Sequence, residues 1–252
     1  MIKLKFLGTG GVPQWNCNCK TCLNSNSKNK RFRSSLFVEV DDVHILIDFG
    51  QDCRQQLLQN KIKKIDYAFL THAHGDHKNG MEQLNLQKNI KIHIPEKVMQ
   101  ELNTKGNSLQ GLINRNPTAQ IENFKPLSIA DFDIDVVELE HKKKYAESSL
   151  SSYGYLFISE EFKFAYLTDY NRIIDEEKVK NLDLIISDSC TWEDEGIGHV
   201  GVKGAIKIYN KLKPKKMILT HINHTIEHDE VQEYAKQFGN IEIAYDGMEI
   251  YK

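Results

Sequence analysis

The sequence predicts a layered α/β fold in which two β-sheets pack face to face and helices cover them from outside. Short strand-like segments recur along the whole chain, and helical segments are interspersed between them in each half. The chain has 252 residues, of which 40% are hydrophobic, and this length suffices for one large core. Because no repeat, low-complexity tract or composition shift marks a linker, we predict a single domain over residues 1–252.

The predicted strands show either period-2 alternation or a short continuous apolar run. Residues 3–7 alternate lysine with apolar residues, and the next two strands, residues 35–40 and 43–47, are joined by a turn at Asp41 and Asp42. The strands that follow are predicted at residues 66–70, 91–94, 132–139, 153–158, 162–167, 184–187, 216–219 and 241–245.

Helices are predicted in the longer segments that separate these strands. In chain order they are residues 51–60, 80–87, 97–102, 175–180, 203–212 and 229–238. Strands therefore dominate, and helices are left to cover the outer faces of the sheets.

Charge and apolar patterning exclude several classes of protein. The 33 Lys and Arg against 35 Asp and Glu give a net charge of −2, so no global basic field holds nucleic acid. No apolar run approaches the roughly 20 residues of a membrane span, and the N-terminus lacks a signal-peptide pattern. Five Cys, an odd number, do not resemble a disulfide framework. We expect a cytoplasmic protein without a membrane or nucleic-acid partner.

Four candidate metal ligands follow directly after the predicted strand at residues 66–70. His72 and His74 are two residues apart on extended backbone, so their side chains point to the same side. Asp76 and His77 are expected in the turn that follows, before a helix that starts near Gly80. Imidazole and carboxylate ligands suit zinc, manganese or iron. The alternative is a solvated His-rich loop, which this dense spacing after an apolar strand disfavours.

These motifs resemble those of the metallo-β-lactamase fold superfamily, and they come in that family's order along nearly the whole chain. The resemblance implies an α/β fold of the four-layer αβ/βα type. An early Asp-x-Gly-like element contains Asp48, which is expected to support the ligands from behind. Three later residues, His141, Asp169 and His221, each close a strand-like run. Taken singly, they could be a surface histidine, a turn cap and a core histidine.

The same resemblance implies a dinuclear site. One metal ion would be held by His72, His74 and His141. The second would be held by Asp76, His77 and His221, with Asp169 bridging both ions.

A cysteine cluster forms a second constellation near the N-terminus. Cys17, Cys19 and Cys22 have the spacing at which three thiolates occupy one tetrahedral Zn²⁺ and leave a fourth position open. His224 is the candidate fourth ligand, because it lies three residues beyond His221. The alternative is a set of unpaired thiols in a loop. The remaining two, Cys53 and Cys190, are predicted to be ordinary buried residues.

Four segments narrow the resemblance to the PhnP phosphodiesterase family. They are residues 8–11, 17–22, 219–224 and 245–250. In that family three Cys and a late His hold a structural zinc, and an additional catalytic histidine corresponds to His199. Without the resemblance, His199 would be read as a surface loop residue. The candidate catalytic residues are His199 and Asp76. Residues 13–19 are similar to a loop of the PqqB family instead.

The implied function is a dinuclear metal-dependent phosphodiesterase, a hydrolase of a small cyclic phosphodiester such as a ribose or nucleoside cyclic phosphate. It would use two divalent ions, Mn²⁺ or Zn²⁺, together with one structural Zn²⁺, and the same resemblance implies a homodimer. The alternatives are a PqqB-like cofactor-biosynthesis protein, a tRNA 3′-processing-type nuclease and a zinc-dependent interaction domain. Intact His72 and His74 disfavour the first, and the lack of a basic arm disfavours the second.

Overall fold

Two β-sheets form the centre of the molecule, and helices lie against their outer faces. The computed structural model describes residues 1–11, 17–104, 118–142, 150–194 and 198–252. Residues 13–16 of the PqqB-like loop lie outside these ranges. Within the described part of the chain, no helix is long and apolar enough to cross a lipid bilayer.

The strands are numbered in chain order. They are β1 (Ile2–Gly8), β2 (Ser35–Val40), β3 (Val43–Ile47), β4 (Tyr67–Phe69), β5 (Lys91–Ile94), β6 (Gln120–Asn123), β7 (Leu127–Ile129), β8 (Phe132–His141), β9 (Leu150–Ile158), β10 (Lys163–Leu167), β11 (Arg172–Ile173), β12 (Leu184–Asp188), β13 (Lys216–Thr220), β14 (Ile241–Ile243) and β15 (Glu249–Tyr251).

The helices are also numbered in chain order. The α-helices are α1 (Lys20–Leu23), α2 (Cys53–Gln59), α3 (Gly75–Lys78), α4 (Glu96–Thr104), α5 (Val202–Leu212) and α6 (His228–Ala235). Single 3₁₀ segments occur at Ser27–Asn29, Met81–Leu86 and Glu176–Val179.

The topology brings the carboxyl ends of the functional strands to one edge. The first sheet has the order β15-β1-β2-β3-β4-β5-β6, in which β3 to β6 are parallel. The second has the order β11-β8-β9-β10-β12-β13-β14, with β7 paired to β8. Strands β10, β12, β13 and β14 are parallel, and β8 runs in the same direction because two antiparallel pairings separate it from β10. Ligand sites of parallel sheets lie at such carboxyl edges.

The apolar residues form three clusters that separate the layers. The middle cluster lies between the sheets and includes Leu36, Ile45 and Phe157. The outer clusters pack α2 and α4 on the first sheet and α5 and α6 on the second. Each fully buried aliphatic or phenyl side chain contributes about 1.5–3 kcal/mol. Two sheets that pack on each other, with helices on both outer faces, confirm the predicted αβ/βα sandwich.

The structure differs from the sequence prediction at several short strands, at two 3₁₀ segments and at the start of one helix. Strands β6, β7, β11 and β15 were not predicted. The segments predicted as helices at residues 80–87 and 175–180 form 3₁₀ turns. A helix begins at Gly75 rather than near Gly80, because His74 is still extended with ψ 150° and serves as its N-cap residue. Asp76 and His77 consequently lie in a helical turn.

Candidate metal centre

Strand ends position the residues of the candidate metal centre. Asp48 follows β3, Asp169 follows β10 by two residues, and His221 follows β13 directly. All three have left-handed backbone, with φ of 60°, 56° and 58°. Such a conformation in a residue other than glycine costs about 1–3 kcal/mol and concentrates at functional sites. The chain therefore turns sharply at each strand end, and this turn leaves the side chains among the other candidate ligands.

The first ligand group contains three histidines and one carboxylate. His72, His74, His141 and Asp169 offer ligand atoms that all lie within 4.8 Å of one another. Nδ1 of His74 is 3.0 Å from Nε2 of His72 and 3.2 Å from Nε2 of His141. Nε2 of His72 is 3.4 Å from Oδ2 of Asp169. Nitrogen and oxygen ligands of a tetrahedral zinc ion lie about 3.3–3.4 Å apart, so these separations suit one ion.

The second ligand group shares Asp169 with the first. Nε2 of His77 and Nε2 of His221 each lie 3.3 Å from Oδ1 of Asp169. Oδ2 of Asp76 completes the group at 3.5 Å from His77 and 3.7 Å from His221. Asp169 thus directs one carboxylate oxygen to each group. With this placement Asp169 could contribute one oxygen to a divalent cation in each group.

Unpaired ring nitrogens test whether the residues fit metal ions. Nε2 of His77 and Nε2 of His221 are buried and have no hydrogen-bond partner among the described residues. A buried polar atom without a partner costs about 1–3 kcal/mol. Both atoms face the carboxylates of Asp76 and Asp169, where a divalent cation would satisfy all of them. The residues present therefore fit divalent metals at two adjacent positions.

In His72, His77 and His141 the opposite ring nitrogen is held by a residue behind the ligands, whereas Nδ1 of His221 is buried without a hydrogen-bond partner among the described residues. Nδ1 of His77 donates to Oδ2 of Asp48 at 2.8 Å, and Nδ1 of His141 donates to a backbone carbonyl at 2.6 Å. The hydroxyl of Thr71 donates to Asp48, so its oxygen accepts from Nδ1 of His72 at 2.9 Å. These contacts select the tautomer in which Nε2 is free to bind a metal. Asp48 supports the ligands as its sequence position suggested.

Electrostatics differ between the two groups. Burial lowers the pKa of His74 and of His141 to about 4 and also lowers the pKa of His72, so these rings are neutral, as metal ligands must be. Burial also lowers the pKa of His77 and of His221, but neighbouring carboxylates, chiefly Asp169, outweigh it and raise both pKa values well above the usual range. The carboxylates of the second ligand group therefore favour a positive charge at this place.

His199 lies at the rim of the centre and contacts Asp188, a residue that sequence reasoning missed. Nδ1 of His199 donates to Oδ2 of Asp188 at 2.8 Å, while Nε2 is 3.9 Å from Oδ2 of Asp169. Burial lowers the pKa of His199, but Asp188 and Asp169 outweigh it and raise that pKa. Asp188 ends β12, which lies between β10 and β13, so its place at a strand end was the available signal.

Cys190 lies beside the candidate metal centre, which the sequence did not suggest. It is buried as predicted, but its sulfur lies within 4.8 Å of ring nitrogens of His199 and His221. Burial raises the pKa of its thiol, so the neutral form is favoured. Cys53 is buried in the outer apolar cluster of the first sheet.

The cysteine cluster lies next to its candidate fourth ligand, His224, which is distant in sequence. Nδ1 of His224 is 3.7 Å from Sγ of Cys19 and 3.5 Å from Sγ of Cys22, and Cys17 completes the group within 4.8 Å. A tetrahedral zinc ion places sulfur and nitrogen ligands about 3.6 Å apart. Hydrogen bonds from the Cys22 backbone N–H and from His224 lower the pKa of Cys19 to about 6. The group therefore fits one Zn²⁺.

Comparison with known proteins gives relatives with different names. An octanoyltransferase of Porphyromonas gingivalis is 27% identical over 97% of this chain, which spans only 50% of that protein's length. Coenzyme PQQ synthesis protein B of Acinetobacter baumannii is 26% identical over 96% of this chain and 96% of that protein.

Solved structures and a family model agree on the fold. A crystal structure of a diphosphatase from the PhnP family has a TM-score of 0.84 and 27% identity, covering 99% of this chain and 96% of that one. Zn²⁺-bound PqqB from Methylobacterium extorquens has a TM-score of 0.85 at 16% identity, covering 99% and 100%, which shows the fold alone. The model described as the beta-lactamase superfamily domain matches residues 44–222, from β3 to the residue after His221. The chain belongs to the beta-lactamase superfamily and has the metallo-β-lactamase fold.

Proposed function

We propose that this protein is a metal-dependent hydrolase of a small phosphodiester, with a cyclic ribose or nucleoside phosphate as the substrate class. The observation that supports this most is Asp169, whose two oxygens face two separate ligand groups in a buried centre. Pairs of cations at adjacent positions occur in phosphatases, nucleases and polymerases, where they stabilise the attacking and leaving oxygens of a displacement at phosphorus. The PhnP-family diphosphatase supports the same reaction type, because it also acts on a phosphoryl group.

The proposed cations have one chemical role. When divalent ions occupy both groups, they supply a water-derived nucleophile at neutral pH and neutralise charge on the phosphoryl oxygens. The protein holds their ligands in fixed positions. Asp169 sets the separation of the two groups, and Asp48 fixes the ring of His77 from behind.

His199 is proposed to protonate the leaving oxygen. Its Nδ1–H bond to Asp188 leaves Nε2 facing the centre, so the charged ring can donate a proton to a departing alkoxide. Asp188 is a positioning residue, since it is fully buried, orients the ring and stabilises the imidazolium. His199 is 14% exposed at its side chain, so it can reach a substrate that enters from solvent.

The burial of the centre supports a small substrate. His72 and Asp169 are at most 1% exposed, which favours a substrate whose phosphoryl group comes close to the sheet edge. A cyclic diester suits this arrangement, because its leaving oxygen stays tethered next to His199. The homodimer and the cytoplasmic location stay predictions.

A hydrolysis screen of metal-loaded protein tests the proposal. The panel contains a ribose cyclic phosphate, 2′,3′-cyclic AMP, bis-p-nitrophenyl phosphate, a dinucleoside diphosphate and an acyl thioester, each with Mn²⁺ and with Zn²⁺. We expect turnover of the cyclic esters, abolished by His74→Ala and retained in His44→Ala, whose half-buried ring lies on β3. Metal content measured on every sample makes the result decisive. A fully loaded protein that hydrolyses none of the phosphoesters contradicts the proposal, and selective thioester turnover assigns a different substrate class.

A PqqB-like role is the second candidate. It is favoured by relatives named coenzyme PQQ synthesis protein B that match 96% of both chains. That role predicts intact metal binding without turnover of any phosphoester in the same screen. The two functions therefore give opposite outcomes with one set of samples.

A further inference from the structure

A second cleft lies between the two sheets, beside β5 and β6. Its volume is about 580 Å³, which is within the range of small-molecule sites. Tyr67 lines it and precedes His72 by five residues on extended chain. At about 3.3 Å per residue, this spacing separates the cleft from the metal centre by roughly 16 Å. The cleft is therefore a separate feature of the molecule.

The inner face of the first sheet changes from apolar to polar at this cleft. On β2 and β3 the residues between the sheets are apolar, as at Val38 and Ile45. On β5 and β6 the corresponding positions are occupied by Lys91, His93 and Glu122, which line the cleft. Glu122 is exposed and Lys91 is partly exposed, whereas His93 is buried, and a buried polar group on an inner sheet face is the informative exception. The pattern indicates a place where a polar ligand enters the sandwich.

His93 supplies a buried polar atom without a partner. It is 6% exposed, it lines the cleft, and its Nε2 has no hydrogen-bond partner among the described residues. Its ring packs against Tyr67 at 6.0 Å and Phe69 at 5.5 Å between ring centroids, which fixes its orientation. Leaving such an atom unpaired costs about 1–3 kcal/mol. A hydrogen-bonding group inside the cleft would remove this cost.

The charge of the lining selects the sign of the ligand. Two lysines, Lys91 and Lys125, against one carboxylate, Glu122, give 2 − 1 = +1 around the cleft. Nζ of Lys91 is 5.6 Å from the ring centroid of Tyr67, so a cation stands beside a flat apolar surface. We propose that the cleft binds a small organic anion, whose carboxylate or phosphate contacts Lys91, Lys125 and His93 while its apolar body lies on Tyr67.

Calorimetric titration of the metal-loaded protein with three related probes tests this proposal. Phenylphosphonate and benzoate present the two anionic groups on the same ring, and benzyl alcohol presents a neutral group. We expect one or both anions to bind, and which of them binds more tightly identifies the anionic group. Lys125→Ala should weaken binding at least about tenfold, while Lys207→Ala, which removes an exposed lysine of α5, should not. His93→Gln removes the unpartnered ring nitrogen and should weaken binding as well.

A variant of the metal centre separates the two sites. Binding that survives in Asp169→Asn and falls in Lys125→Ala supports the cleft. Binding that is lost in Asp169→Asn and unchanged in Lys125→Ala places the anion at the metal centre and overturns the proposal. Equal affinity for benzyl alcohol, or no binding of either anion, overturns it as well. Lys125 is exposed, so this variant reports on binding even if His93→Gln does not fold.

Discussion

The two candidate metal sites differ in how the chain assembles them. In the cysteine cluster three of four ligands come from residues 17–22 and the fourth, His224, comes from 202 residues beyond Cys22. In the candidate dinuclear centre the ligands come from the ends of three strands, β8, β10 and β13, and from the loop and helix that follow β4. The cysteine cluster is half-exposed, whereas His72 and Asp169 are buried. The cysteine cluster links the loop of residues 17–22 to His224, and the candidate dinuclear centre lies at the edge of the sheets.

The ligand chemistry differs as well. Three thiolates and one imidazole make a closed tetrahedral set, which leaves no position for a substrate. The candidate dinuclear centre uses histidines and two carboxylates, with His199 beside it as the proposed proton donor. We therefore propose that the cysteine cluster serves stability and that the dinuclear centre serves chemistry, and variants of each site can test this division.

Asp169→Asn should have the largest effect on activity. The amide keeps the shape of the side chain but removes the negative charge shared by both ligand groups. We expect the turnover number to fall by at least about 10⁴-fold, equal to about 5 kcal/mol of barrier, with reduced metal content. Steady-state kinetics and elemental analysis measure both. The matched control is Asp42→Asn at an exposed turn, and wild-type rates in Asp169→Asn would contradict the division.

His199→Ala should lower turnover while leaving both ligand groups intact. For substrates with an alkoxide leaving group we expect a loss of about 10²–10⁴-fold, because proton donation to the leaving oxygen is removed. The loss should be much smaller for bis-p-nitrophenyl phosphate, whose leaving group needs little protonation. Asp188→Asn should show a weaker form of the same leaving-group dependence. Equal losses for both kinds of substrate would instead assign His199 to substrate positioning.

Cys22→Ser should affect stability rather than turnover. A structural ion present at about 1,000 times its Kd adds about 4 kcal/mol, so its loss should lower the melting temperature by about 8–16 °C. Mild chelation should lower the melting temperature of the wild-type protein by this increment more than it lowers that of the variant, which keeps only the ligands of the other centre. Cys53→Ser is the control, because that buried thiol lies outside the cluster and should leave the chelator response unchanged. Lost turnover at full stability would contradict the structural role.

Asp246 should give the smallest effect, a dependence of stability on pH. Burial raises its pKa to about 6, although Phe32 N–H and the Thr9 hydroxyl donate to it and Arg31 lies nearby. Because the folded protein holds this proton more tightly than the unfolded chain, this group stabilises below about pH 4. That contribution is lost as pH rises to about 6. The upper limit is about 3 kcal/mol, at 1.36 kcal/mol per pKa unit.

Denaturant unfolding between pH 4 and pH 7 measures this contribution. The wild-type protein should lose stability relative to Asp246→Asn as pH rises through this window. The difference between the two proteins, rather than either curve alone, isolates the group. Parallel curves would show that Asp246 titrates normally in the folded state.

The sequence predicted the parts of the fold whose signal is local. The bounds of β2, β3 and β5 are those predicted, because each is a short strand flanked by clear turns or polar residues. The strands β6 and β15 were missed, because each is a sheet edge with few apolar residues and depends on pairing with β5 or β1. Tertiary pairing, which no local pattern records, defines these edges.

The candidate site was predictable in its ligand types but not in its backbone. The histidines and carboxylates carry their chemistry in the sequence, and their order matched a known family. Left-handed backbone at Asp48, Asp169 and His221 was not predictable, because only a small minority of aspartates and histidines adopt it and no local pattern marks which ones do. Asp188 was missed because its neighbours in β12 are otherwise typical of a buried strand.

The pairing of β1 with β15 has a consequence for the synthesis of this protein. Lys3 pairs with Tyr251 in the first sheet. The cysteine cluster likewise gains its fourth candidate ligand only when His224 has been synthesised. At about 5–20 residues per second on the ribosome, the first strand emerges roughly 12–50 s before its partner. During this interval one edge of β1 carries unpaired backbone groups, which attract other strands. We therefore expect this edge of β1 to be prone to non-native pairing until β15 has been synthesised.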